Sequence, residues 1–68
     1  MEKNLIAKST YIDRTPQALA AVARMKCELQ AAATLRVAAW DDRSYIVSYE
    51  AASYETIARI EDGLAAYV

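Results

Sequence analysis

The chain contains one cysteine and no histidine, which limits the ways in which a chain of 68 residues can be stabilised. A domain of this size buries only about 60% of the surface that its unfolded chain exposes, so many such domains add a disulfide, a metal or a second subunit. Cys27 has no partner for an internal disulfide, and a single thiol supplies too few ligands for a structural zinc site. The sequence therefore predicts a single domain, residues 1–68, without metal or cofactor, that relies on a very regular core or forms a homodimer.

The unpaired thiol also bears on where the protein works, because free cysteines are typical of reducing compartments. Glu2 and Lys3 lead into a mixed segment rather than into the apolar run of a signal peptide. The most alanine-rich stretch carries Arg24, Lys26 and Glu28, so we do not expect it to enter a membrane. We expect a cytoplasmic protein without membrane contact.

Charge is distributed unevenly along the chain, whose net charge is −1. Residues 1–34 carry five basic and three acidic side chains, a net +2, and residues 35–68 carry three basic and six acidic ones, a net −3. The strongly basic surface of most nucleic-acid-binding proteins is missing, so we do not expect a nucleic-acid partner. The acidic half is either a solvated surface or a face that meets a basic partner.

The first half of the chain predicts a strand followed by a helix. Residues 4–12, NLIAKSTYI, contain β-branched and aromatic residues in rough alternation, which is typical of a strand. Thr15 can cap a helix with its hydroxyl, and Pro16 suits the first helical position because an N–H has no partner there. We predict a helix over 16–33, with an apolar stripe of Ala18, Val22, Met25, Leu29 and Ala32.

The second half predicts a hairpin and a second helix. LRVAAW (35–40) and YIVSYE (45–50) have the composition of strands, and the loop DDRS between them suits a four-residue turn. Ser53 is a second capping residue, and we predict a helix over 54–62 after it.

Gly63, the only glycine, leaves two alternatives open for the last residues. If it ends the helix, which is the alternative we favour, residues 64–68 can form a short fourth strand. If the helix continues, Leu64 keeps the helical spacing of Ile57 and Ile60. The predicted order is thus β-α-β-β-α, an α+β fold with a single layer of two helices on an antiparallel-type sheet. With the fourth strand, this order resembles the ferredoxin-like arrangement, which repeats a split βαβ unit.

The parity of the hairpin loop decides which side chains share a face of the sheet. An even loop pairs Trp40 with Tyr45, and an odd loop shifts the pairing by one residue. The even register, which we favour from the four-residue loop, exposes an aromatic face composed of Arg36, Ala38, Trp40, Tyr45, Val47 and Tyr49. The odd register would set Trp40 apart and form a richer core face from Leu35, Val37, Ala39, Tyr45, Val47 and Tyr49.

Little in the sequence points to catalysis. Without histidine, no Ser/His or Cys/His pair can form, and a chain with one glycine cannot build a phosphate-binding loop. Cys27 is predicted to be a small core residue rather than a reactive thiol. Asp41 and Asp42 are predicted to serve the turn rather than to bind a metal. We therefore expect no enzyme activity.

One segment resembles a nucleic-acid-binding motif. RSYIVSYE (43–50) is similar to the octamer of an RNA-recognition strand at Arg43 and Tyr45, while the later aromatic and glycine positions of that motif hold other residues. This resemblance implies a nucleic-acid or small-ligand binding domain of ferredoxin-like form as an alternative function.

The preferred interpretation is a small non-catalytic protein-interaction module. Exposed aromatic area usually marks an interaction site, and tryptophan and tyrosine are enriched where binding energy is concentrated. Small proteins without motifs are common among phage-encoded inhibitors of host machinery, so we expect the partner to be a larger protein assembly that the chain modulates or inhibits. A homodimeric structural subunit is a further alternative. The predicted partner-binding residues are Arg36, Trp40, Asp41, Asp42, Tyr45 and Tyr49.

Overall fold

A computed structural model describes residues 4–68, so Glu2 and Lys3 lie outside the described residues. Its elements in chain order are β1 (Ile6–Asp13), α1 (Pro16–Leu29), β2 (Ala33–Ala39), β3 (Ser44–Ala51) and α2 (Tyr54–Leu64). A short 3-10 turn follows each helix, at Gln30–Ala32 and at Ala65–Tyr67. The predicted α+β class, with two helices and an antiparallel sheet, is confirmed.

The strands of residues 4–68 form one antiparallel sheet in the order β1-β3-β2. Because β1 and β2 each run antiparallel to the central β3, they are parallel to each other, and α1 connects them. α1 packs on β2, and α2 packs on β3 and β1, which forms a single helical layer on one face of the sheet. Residues 64–68 are largely helical, so the prediction of a fourth strand is wrong, and the described chain lacks the strand that the ferredoxin-like arrangement requires.

Both helices begin where the sequence predicts. The Thr15 hydroxyl accepts a hydrogen bond from the backbone N–H of Ala18 at 3.1 Å, and Pro16 occupies the first turn. The Ser53 hydroxyl accepts from the N–H of Thr56 at 3.2 Å. Each cap satisfies a donor that would otherwise have no partner inside the helix. These starts are set by neighbouring residues alone, which is why a local pattern reveals them.

α1 ends earlier than predicted, at Leu29 instead of near residue 33. Gln30 has a φ of 47°, the one positive φ of a non-glycine residue in the described chain, and its N–H donates to the carbonyl of Lys26. This conformation breaks the helical path and lets the chain turn into β2. A residue with a positive φ at a helix end is usually glycine, so the sequence does not predict a helix end at a glutamine.

Gly63 lies inside α2 and does not end it. Ile57, Ile60 and Leu64 are all buried on one face of this helix, so continuation past the glycine keeps Leu64 in the core. The glycine faces α1, where an added Cβ would overlap the methyl group of Met25. The absence of a side chain therefore permits a close approach of the two helices, and Gly63 has no positive φ.

The core lies between the sheet and the two helices. Cys27 is exposed on α1, so the prediction that it packs in the core is wrong. No side chain in the core of the described residues is charged. The largest fully buried side chains are Ile12, Val22, Val47, Tyr49, Ile57, Ile60 and Leu64.

The hairpin adopts the odd register, so the prediction of the even register is wrong. Ala39 pairs with Tyr45, and residues 40–44 form the connection between them. The backbone N–H groups of Trp40 and Asp41 both donate to the carbonyl of Ser44, at 3.0 Å and 3.2 Å. Trp40 thus belongs to the loop rather than to a paired position of β2.

The physical reason for the odd register is the core that it creates. It brings Leu35 opposite Tyr49 and Val37 opposite Val47, all on the face that the helices cover. The even register would have divided the apolar residues between the two faces of the hairpin. A shift of one residue moves every side chain of a strand to the other face, so burial outweighs the preference of a short loop.

Candidate functional site

The face of the sheet opposite the helices is uncovered in the described chain. Its central strand contributes Ser44, Ile46, Ser48 and Glu50, and its edge strands contribute mostly small side chains. We call this surface the open face, and its members are Ala7, Ser9, Tyr11, Asp13, Thr34, Arg36, Ala38, Ser44, Ile46, Ser48 and Glu50.

Two aromatic rings meet at one end of the open face. The ring centroids of Tyr11 and Trp40 are 5.2 Å apart with a tilt of 56° between the planes. Both rings remain substantially exposed, Tyr11 at 47% and Trp40 at 58%. Ile46 pairs with both Tyr11 and Ala38 and is half-buried between β1, which carries Tyr11, and β2, which leads into the loop that carries Trp40. We call Tyr11, Ile46 and Trp40 the aromatic cluster.

The hairpin loop is held in a defined conformation beside the aromatic cluster. The Asp41 carboxylate accepts a hydrogen bond from the backbone N–H of Arg43 at 2.8 Å. A guanidinium N–H of Arg14 donates to the Asp41 carbonyl at 2.6 Å, and the Arg14 backbone N–H donates to the Arg43 carbonyl at 2.9 Å. The turn role predicted for Asp41 is confirmed, and the end of β1 is tied to the loop that carries Trp40.

The structure divides the predicted partner-binding residues between the two sides of the sheet. Trp40 and Arg36 lie exposed on the uncovered side, and Asp41 and Asp42 are exposed in the adjoining loop. Tyr45 and Tyr49 lie on the helix-covered face instead, so the predicted grouping of these two tyrosines with Trp40 is wrong.

The sequence prediction missed Ile46 and Tyr11 as members of the aromatic cluster, and Tyr11 carries one of its two rings. It alternates with Ile12 along β1, so once Ile12 enters the core, Tyr11 must point to the open face. The alternation was visible in the sequence, but nothing local indicates that β1 lies beside β3 and within reach of Trp40.

Tyr45 has a structural role. It is half-buried, and the guanidinium carbon of Arg14 lies 5.4 Å from its ring centroid, a cation–π geometry. Because its ring faces the helical layer, it cannot form part of an aromatic surface on the open face. The resemblance of RSYIVSYE to an RNA-recognition strand therefore loses the side chain that would stack on a base.

Tyr49 connects the core to a surface charge. Its ring is only 2% exposed, and its hydroxyl donates to a Glu61 carboxylate oxygen at 3.0 Å. The Lys8 ammonium lies 3.9 Å from the same oxygen. Burial, followed by the hydrogen bond to Glu61 and the negative charge of Glu61, raises the pKa of Tyr49 to about 12. The phenol stays protonated at neutral pH and acts as a donor.

The chain matches no protein-family model, and no curated protein or solved structure is significantly similar to it. In residues 4–68, no three carboxylates or thiols come together in a way that could hold a metal ion. No helix of the described chain is both long and apolar enough to cross a membrane. Within the described chain, the open face with its two exposed rings is the candidate functional site.

Proposed function

We propose that the protein is a small non-catalytic interaction module that binds a larger protein assembly through its open face. The observation that carries this proposal is the contact between Tyr11 and Trp40, two rings that touch each other while about half of each remains exposed. Large aromatic side chains with exposed area supply binding energy at a small cost in conformational entropy.

The surroundings of the aromatic cluster favour a protein surface as the ligand. Most other side chains of the open face are alanine, serine or threonine, which allow a close approach to the sheet. Asp13, Asp41 and Asp42 are exposed at the same end as the rings, and so are Arg14 and Arg43. The matching partner surface therefore has an apolar centre with charged groups of both signs beside it, because opposite charges at a rim guide association.

The small size of the module suggests how it acts on its partner. A chain of 68 residues that covers a functional surface of a larger assembly modulates or inhibits that assembly by occupying the surface. Small inhibitors encoded by phages commonly work on host machinery in this way, and we place the protein in that class as part of the proposal.

A capture experiment with matched variants tests the proposal. Tagged wild type, Trp40→Ala, Tyr11→Ala and Tyr54→Ala are incubated with lysate, and the recovered proteins are quantified. Tyr54 is the control, because it is 74% exposed but lies on α2, away from the open face. We expect one partner to be retained by wild type and Tyr54→Ala and lost from both cluster variants.

The recovered partner is then purified and titrated. Trp40→Ala should raise Kd by about tenfold or more, which corresponds to about 1.4 kcal/mol, whereas Tyr54→Ala should leave it unchanged. Asp42→Lys should weaken binding by less and in a salt-dependent way. Equal affinity of wild type and Trp40→Ala would contradict the proposal.

A single-stranded nucleic acid is the second candidate ligand, because exposed rings on a sheet can stack on bases. Arg36 is the one cation on the open face among the described residues, and it shares that face with Glu50 and Asp13, which disfavours a phosphate backbone. Trp40 is the only tryptophan, so its fluorescence reports binding directly. Salt-dependent quenching by single-stranded RNA that is lost in Tyr11→Ala would favour this candidate, and an unchanged spectrum at low salt would exclude it.

A further inference from the structure

β1 forms one edge of the sheet, and its outer side has no strand partner within residues 4–68. It pairs with β3 without interruption from Ile6 to Asp13 and contains neither proline nor glycine. An edge strand of this length presents backbone N–H and C=O groups that a further strand can pair with. Natural edge strands are often shortened, bulged, covered or charged. β1 pairs with β3 without a bulge or break, and Lys8 is its only charged side chain before Asp13 at the strand end.

The helical layer leaves the middle of β1 uncovered. Ile6 and Ile12 pack in or against the core, whereas Lys8 between them is exposed. A groove of about 340 Å³ opens beside this part of the strand, between Thr10 of β1 and Glu61 of α2. On the other edge strand, β2, the helix-facing residues Ala33 and Leu35 are buried. Neither edge has a strand partner in the described chain, but the helical layer covers the middle of β1 less, which leaves more room there for a second strand.

The sequence of β1 suits pairing with a second copy of itself. In an antiparallel pair around a two-fold axis, the residue at the axis meets itself and opposed residues lie on the same face. With Lys8 at the axis, like charges would oppose each other, and with Thr10 at the axis, Lys8 would oppose the buried Ile12. With Ser9 at the axis neither conflict arises, because Ile6 opposes the partner's Ile12 and Lys8 opposes the partner's Thr10.

We propose that two copies of the chain pair through β1 with Ser9 at the axis, so that their two sheets form one six-stranded sheet. Lys8 of each copy then lies beside the groove that holds the partner's Glu61. Within one chain, the Lys8 ammonium and the Glu61 carboxylate are 3.9 Å apart and both half-exposed, which leaves the carboxylate accessible to a second cation. Two lysines and two glutamates thus gather around the axis. On the open face, the small Ala7 opposes the partner's Tyr11.

This pairing uses the backbone edge of β1, and within the aromatic cluster it adds a neighbour only to Tyr11, which the partner's small Ala7 opposes on the open face. The two copies place their helices on the same side of the joined sheet, so both aromatic clusters face the opposite side. A second copy also compensates for the limited core of a 68-residue chain.

Charge reversal tests the pairing across the axis. Sedimentation should give about twice the 7.5 kDa chain mass for wild type and a monomer for Lys8→Glu and for Glu61→Lys alone. An equimolar mixture of these two variants should form a dimer, because two acidic groups of one chain then meet two basic groups of the other. Arg36→Glu on the opposite edge strand is the control and should stay dimeric. A wild type that is monomeric at about 1 mM, or a mixture that stays monomeric with both variants folded by circular dichroism, overturns the proposal.

A disulfide tests the register without changing any charge. In a Cys27→Ser background, Ser9→Cys should form a covalent dimer under mild oxidation, because the two Ser9 Cα atoms at the axis would be about 4.5–5.5 Å apart. Ser48→Cys is the matched control, because Ser48 neighbours Ser9 on the open face but lies on the central strand. Cross-linking through Ser48→Cys and not Ser9→Cys would mean that the sheets stack face to face, which overturns pairing through β1.

Discussion

At the scale of single residues, Tyr49 connects the core of the molecule to a charged side chain on α2. Its ring is buried among the core side chains of the sheet and helices, and its hydroxyl reaches Glu61 on α2. A buried phenol is stable only where its hydroxyl finds a partner. This partner allows the core to accept a tyrosine in the odd register, where an aliphatic residue would have been the simpler choice.

Tyr49 should make folding stability depend on pH in the alkaline range. The ordinary pKa of tyrosine is 10.0, and the folded protein raises the pKa of Tyr49 to about 12. Below pH 10 the protonated Tyr49 hydroxyl contributes its full stabilisation of the fold. This contribution falls as the pH rises through the folded pKa, because Tyr49 ionises at a lower pH in the unfolded chain. The loss should be about 1 kcal/mol, less than the full shift implies, since Glu61 is half-exposed and its charge is screened.

Urea unfolding of wild type and Tyr49→Phe at about pH 9 and about pH 11 measures this loss. Between these two pH values, the free energy of unfolding of Tyr49→Phe should fall by about 1 kcal/mol less than that of wild type. Tyr54→Phe is the control, because Tyr54 is exposed and should not alter the pH dependence. Identical alkaline losses in wild type and Tyr49→Phe would show that the protonated Tyr49 hydroxyl does not stabilise the fold.

At the scale of elements, the two helices differ in what defines their ends. Their starts depend on Thr15 and Ser53, whose hydroxyl groups cap the first turn of each helix. Their ends depend on tertiary contacts: α1 stops at Gln30, where the chain must enter β2, and α2 continues past Gly63 because Leu64 belongs to the core. The absence of a side chain at Gly63 lets α2 lie close to Met25 of α1.

The contact between Gly63 and Met25 should appear as an energetic coupling. Gly63→Ala raises helix propensity by up to about 1 kcal/mol, but the new methyl group displaces the end of Met25. We expect little net change in wild type and a gain of about 0.5–1 kcal/mol when Gly63→Ala is added to Met25→Ala. Chemical denaturation of the four proteins of this double-mutant cycle gives the coupling.

Ala58 provides the control for that cycle, because it is exposed on the same helix. Ala58→Gly should cost about 1 kcal/mol whether or not Met25 is present. If Gly63→Ala stabilises both backgrounds equally, the close approach of the helices does not restrict position 63.

At the scale of the whole molecule, the small sheet has two consequences. With three strands and one helical layer, one face and both edges of the sheet remain uncovered in the described chain. The uncovered face carries the aromatic cluster, and the uncovered edge of β1 is the edge that we propose to pair with a second copy of the chain. A larger domain would have hidden both surfaces, and here each is available for association.

Dimer formation through β1 should make thermal stability depend on protein concentration. Because only the folded chain has the β1 edge, mass action raises Tm as concentration rises. Wild type should show this rise over a hundredfold range of concentration, measured by circular dichroism. Lys8→Glu should show a Tm independent of concentration, and a flat wild-type curve would contradict the dimer.

The sequence by itself determined the order of elements, the two helix starts and the α+β class. These features depend on alternation, helical spacing and capping residues such as Thr15 and Ser53, all of which act over a few residues. The role of Asp41 in the turn belongs to the same group, because its carboxylate bonds to a backbone N–H two residues away.

Only the tertiary structure decided the hairpin register, the state of residues 64–68 and the membership of the aromatic cluster. Each depends on contacts between residues far apart in the chain: the burial of Tyr49 beneath the helices outweighed the preference of the loop, and the pairing of β1 with β3 brought Tyr11 to Trp40. The free energy of burying a core is shared among many elements, so no local pattern contains it. Trp40 could be recognised from the sequence as exposed and aromatic, but its neighbour could be identified only once the sheet was formed.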